Sequence, residues 1–150
     1  VADCGFSRTD GVIFFAGKKM LKIKPKLTFW GLNILAKTAG GFNLKDVNVS
    51  KELHKNTTIP ILFIHGDNDL FVPTYMSEVN YRACTAPKRK LIVNNAGHAM
   101  SYYKNPELYE ETFLSFLEQC AGNADQVTFD ELLTTDYHTD EDKDYEHTGD

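Results

Sequence analysis

One histidine and two aspartates stand where apolar runs of this chain end. His98 follows Leu91-Ile92-Val93 and the turn-forming stretch Asn94-Asn95-Ala96-Gly97. Asp67 and Asp69 follow "ILFIHG" and precede Val72-Pro73. Taken alone, His98 fits a structural loop histidine. Read with an aspartate at the end of the preceding strand, it fits an acid–base pair. A carboxylate that accepts a bond from one imidazole nitrogen fixes the tautomer, and it stabilises the imidazolium formed when the other nitrogen takes a proton. This is the acid–base half of a nucleophile–histidine–acid triad.

Other residues offer less. Cys4, in "ADCGF", falls at a strand end, and a thiolate beside His98 is chemically reasonable. His65 and His54 read as structural. His138 and His147 lie in an acidic stretch that could attract a metal, but a solvated tail accounts for them. No metal or cofactor is expected.

The elements that must position the pair follow from hydrophobic periodicity. "GVIFFAGKKMLKIK" repeats apolar residues at Val12, Phe15, Ala16, Met20 and Ile23, which predicts an amphipathic helix capped by Asp10 or Thr9 and ended by Pro25. "LTFWGLNILAKTAGG" predicts a second helix stopping at Gly40-Gly41. "TIPILFIHG" and "KRKLIVNNAG" are short continuous apolar runs, as strands buried on both faces are. Between them, residues 74–86 predict a helix with Met76, Val79, Tyr81 and Ala83 inward. "NPELYEETFLSFLEQCAG" predicts a helix capped by Asn105, with Leu108, Phe113, Leu114 and Leu117 on its apolar side. The alternation implies a mainly parallel α/β sheet. Ligands of such sheets bind beyond the carboxyl ends of the strands, where both candidate loops lie.

Composition narrows the function classes. The 150 residues suit one domain, and the 42% hydrophobic and 25% charged fractions are those of a globular protein. A net charge of -5 argues against nucleic acid as a partner. The lysines at 18, 19, 22, 24 and 26 read as a solvated helix face. No apolar run reaches the roughly 18 residues of a membrane span. Cys4, Cys84 and Cys120 have no metal-type spacing and read as reduced thiols, which points to a cytoplasmic location. Residues 123–150 form an acidic tail, expected to be mostly disordered apart from a short helix over 127–134.

"PILFIHGDNDLFVP" followed by "KRKLIVNNAGHAMSYYKNPELYEETFLSFLE" resembles the C-terminal half of the α/β-hydrolase family. It is most similar to bacterial esterase- or lysophospholipase-like and serine-aminopeptidase-like members. The resemblance covers roughly residues 1–120. Aspartate before histidine is also that family's chain order. Its acid lies in G-x-x-D-x-x-V-P, matched by Gly66, Asp69, Val72 and Pro73, and its histidine follows a glycine, matched by His98. The resemblance thus implies Asp69 and His98 as catalytic residues. Asp67 falls at a variable position, and Asp3, where some relatives carry the acid, is a minor candidate. Residues 1–122 correspond to the C-terminal part of the hydrolase domain, with 11–41 where the family inserts a cap.

The family nucleophile is a serine in G-x-S-x-G. Ser7, Ser50, Ser77, Ser101 and Ser115 all lie outside such a motif, and "ADCGF" is not its cysteine counterpart. The expectation is therefore a partial serine hydrolase acting on an ester or related acyl bond of a small-molecule or lipid-like substrate. Its serine and oxyanion donors would lie upstream of Val1, leaving the chain inactive by itself. The alternative is a non-catalytic α/β interaction module that uses the helices of 11–41. A half-sheet would also expose an edge that favours self-association.

Overall fold

A computed structural model describes residues 1–21 and 24–122. The acidic segment 123–150, with its expected helix, His138 and His147, lies outside them, as does Ile23.

Three parallel strands form the sheet in the order β1-β2-β3: β1 (Ala2–Asp3), β2 (Ile61–Gly66) and β3 (Lys88–Val93). Ala2 pairs with Phe63, and β2 runs alongside β3 from Ile61↔Lys88 to Gly66↔Val93. All three strands therefore finish at the same rim. The helices are α1 (Thr9–Ala16), α2 (Pro25–Gly40), α3 (Val49–Leu53), α4 (Tyr75–Ala83), α5 (Ser101–Lys104) and α6 (Pro106–Gly122). This is a partial α/β-hydrolase fold. Among the described residues, no helix is long and apolar enough to cross a membrane.

The period-two alternation of β2 divides the core. Leu62 and Ile64 join Leu91, Val93, Ala96 and Phe116 beneath α6, with Leu108, Tyr109 and Phe113 packed against them. Phe63 faces the other way, against Cys84, Ala86, Leu53 and Tyr81 beside α3 and α4. Burying each large side chain contributes about 1.5–3 kcal/mol. Sandwiching β2 between two helical layers thus fixes its register, because a one-residue slip would exchange its faces.

Several expected details differ. Arg8, not Thr9 or Asp10, occupies the N-cap of α1 and makes no side-chain cap. Asp10 is instead drawn to the Arg8 guanidinium, at 2.7 Å. The helix loosens into a π turn over Gly17–Leu21, and Pro25 opens α2 rather than closing α1. Gly41 does end α2, in the left-handed conformation at φ 70. On α6 the inward stripe runs through Leu108, Thr112 and Phe116, which leaves Leu114 and Leu117 exposed. On α4 the buried residues are Met76, Ser77 and Asn80. Polar Ser77 and Asn80 face inward because they have partners there: Ser77 meets His65, and Asn80 donates to the carbonyl of Phe6 at 3.0 Å.

Candidate active site

Two loops interlock at the rim. After β2, Asp67 N donates to Val93 O at 3.2 Å and Asn68 N to Ala96 O at 3.0 Å. After β3, Asn95 N donates to the Asp67 carboxylate. Asn95 adopts φ 56, a conformation its short polar side chain tolerates. Gly66 permits this docking, since the carbonyl of Ala96 occupies the space of a Cβ there. Asp67 therefore ties the loops together, and Asp69 and His98 are brought side by side.

Asp69 is 5% exposed and accepts four N–H donors. Oδ1 takes the amides of Phe71 and Val72 at 2.8 and 2.9 Å. Oδ2 takes His98 Nδ1 at 2.8 Å and His65 Nε2 at 3.1 Å. Burial by itself would raise the carboxyl pKa. Hydrogen bonds from His65, His98 and the two amides outweigh it and hold the value at about 2. The carboxylate is thus ionised throughout the physiological range. With Nδ1 of His98 committed to Asp69, Nε2 is the nitrogen left to exchange protons. The Phe71 ring lies against the imidazole, 5.0 Å between centroids.

His65 is wholly buried. Its Nε2 also meets Val72 O at 2.9 Å, and its Nδ1 meets Ser77 Oγ at 2.6 Å. A carbonyl only accepts, so Nε2 carries a proton, and Nδ1 is paired with the Ser77 hydroxyl. From sequence His65 reads only as structural. The alternation Ile61, Phe63, His65, followed by an aspartate four residues on, is the signal that it faces inward among apolar groups with a partner in reach.

Cys4 closes the group. It takes φ 54, its Sγ accepts from Ala99 N at 3.2 Å, and Ala99 itself stands at φ 57. Two residues in sparsely populated backbone conformations thus meet beside His98, as strained residues at functional sites often do. Cys4 Sγ, an Asp69 oxygen and a His98 nitrogen lie within 4.8 Å of one another, a donor set that could hold a soft cation. Those donors are already engaged. Burial pushes the Cys4 thiol up to about 12, with the neighbouring Asp3 adding to the rise and the Ala99 amide opposing it.

Of the remaining candidates, Asp3 accepts from Tyr109 OH at 3.2 Å, and exposed His54 caps α3. Ser50, Ser77 and Ser115 are bonded to Asn48, His65 and Arg89, while Ser7 and Ser101 are buried.

A cavity of about 350 Å³ opens beside His98 and Cys4. Val12, Ile13 and Ala16 of α1 line one side, and Phe6, Phe71 and Val72 line the other.

Residues 11–104, which include Asp69 and His98, match the family model described as Serine hydrolase (FSH1). The chain belongs to this serine hydrolase family. It is also similar to the "Uncharacterized protein YqkD" of Bacillus subtilis (strain 168), with 32% identity over 122 residues, or 79% of this chain. The chain spans 38% of that protein's length. The polar cluster at the sheet rim lies beyond the carboxyl ends of the strands, where open α/β sheets bind ligands.

Proposed function

We propose that this serine hydrolase supplies the acid–base half of a Ser-His-Asp triad that cleaves an ester or related acyl bond. The observation that carries the reading is the 2.8 Å bond between His98 Nδ1 and the buried, ionised Asp69. In the proposed reaction a serine Oγ attacks the acyl carbon while His98 Nε2 takes the serine proton. The Asp69 carboxylate stabilises the resulting imidazolium. His98 then protonates the leaving oxygen as the acyl–oxygen bond breaks. A water molecule, deprotonated by His98 in turn, attacks the acyl carbon; the serine–acyl bond breaks, His98 returns the proton to the serine oxygen, and the acid leaves.

The nucleophile and the oxyanion donors lie outside these 150 residues in this reading. Support comes from the absence of G-x-S-x-G in the sequence and from the 38% of the relative's length that the chain spans. The substrate carries an uncharged, lipid-like group, because the cavity beside His98 is walled by apolar and aromatic side chains. That wall includes Val12, Ile13 and Ala16 of α1, which gives this helix a cap's role. Esterase- or lysophospholipase-type substrates fit this lining.

A fluorophosphonate probe tests where the nucleophile resides. The 150-residue chain is expected to stay unlabelled, while the protein extended upstream labels on a single serine. Labelling of any of the five serines in the short chain would overturn the reading.

A further inference from the structure

The structure assigns His65 a positioning role: it clamps the Asp69 carboxylate in the orientation that receives His98. The inference rests on the proposed triad and extends it by one shell. His65 projects from β2 toward α4, on the face that also carries Phe63. A leucine or phenylalanine would fill such a place without polar cost, whereas a buried imidazole costs stability unless its nitrogens are bonded. Both nitrogens are bonded here, each in a way that fixes the ring.

The ring is held from two directions. Val72 O requires a proton on Nε2, and the Ser77 hydroxyl holds Nδ1 at 2.6 Å. The ring therefore presents an N–H toward Asp69 Oδ2. The carboxylate is then restrained at both ends: by two amides at Oδ1 and by His65 at Oδ2. Rotation about Cβ–Cγ would break bonds at both oxygens together. His98, whose side chain is 39% exposed, thus meets an acceptor that is already oriented. Ser77 and Val72 act on His98 through this relay without touching it.

Imidazole nitrogen-15 and low-field proton spectra of the 150-residue chain test the proposal. The unaltered chain should show His98 as the Nδ1–H tautomer with a low-field Nδ1 proton. His65→Leu, if folded by circular dichroism, should lose that proton signal and the tautomer preference. His65→Gln, whose amide can donate where Nε2 did, should restore both. Ser77→Ala perturbs the interior least; it removes the partner of Nδ1 and should let the His65 ring shift, moving or broadening the His65 and His98 signals. A folded His65→Leu with an unchanged His98 signature would overturn the positioning role. Should that variant not fold, unchanged His65 and His98 signals in Ser77→Ala would overturn it instead. If the unaltered chain lacks the Nδ1–H signature, the triad reading itself fails, and this proposal fails with it.

Discussion

Gly66 and Ala96 are packed so closely that the carbonyl of Ala96 fills the space a side chain on Gly66 would need. Gly66 ends β2 and Ala96 lies in the loop after β3, so this approach brings two strand ends into one site. The obstruction is backbone, which cannot swing aside as a flexible side chain would. Gly66→Ala should therefore displace the 94–98 loop and destabilise the chain by about 2 kcal/mol or more. Urea unfolding measures the loss, and disappearance of the His98 Nδ1 proton signal shows that the site went with it.

The Asp69 carboxyl makes a specific contribution to acid stability. Its folded pKa of about 2 lies below the ordinary value of 3.8. The group therefore stabilises the fold above the unfolded pKa, and that stabilisation is lost as pH falls through the folded value. Unfolding free energy should decline from about pH 4 toward pH 2, with on the order of 2–3 kcal/mol traceable to this group. Asp69→Asn should remove that segment of the profile and lower stability at neutral pH, since an amide cannot accept from both imidazoles and both main-chain amides. Denaturant titrations at stepped pH values check both effects.

Cys4 stands within reach of His98 and yet behaves as a thiol. A pKa pushed up to about 12 leaves almost no thiolate at pH 7. Alkylation of Cys4 by iodoacetamide, followed by peptide mass spectrometry, should be slow at neutral pH and should rise only toward strongly alkaline pH. Fast labelling with a midpoint near neutrality would mean that Cys4 and His98 form an activated pair.

The strand ends were the most legible part of the sequence. Continuous apolar runs stopping at Gly66 and before Asn94 announce buried parallel strands, and an aspartate and a histidine beyond them can meet only at a shared rim. The second tier was not legible. His65 looks like one more strand-end residue until α4 turns Ser77 inward, and a serine on a helix gives no sign of which way it faces. Asp67 falls at a variable position of the family motif, and its partner is a main-chain amide, Asn95 N, which no side-chain pattern reveals. Cys4 reads as a strand-end thiol that could stand beside His98, but the left-handed conformation it adopts, φ 54, is not encoded in composition. On α6, Leu114 and Leu117 are as apolar as the residues that pack, so periodicity had no means of choosing Phe116 over them.

The central claim is that His98 carries the proton in a serine-mediated cleavage while Asp69 orients it and stabilises its imidazolium. It is tested most directly by kcat/KM for a p-nitrophenyl ester, measured on the upstream-extended protein and on its His98→Ala and Asp69→Asn variants. The account predicts losses on the order of 10³–10⁴-fold in each, without additivity in the double variant, because the two residues act as one unit. Activity in folded His98→Ala within about tenfold of the parent would contradict it.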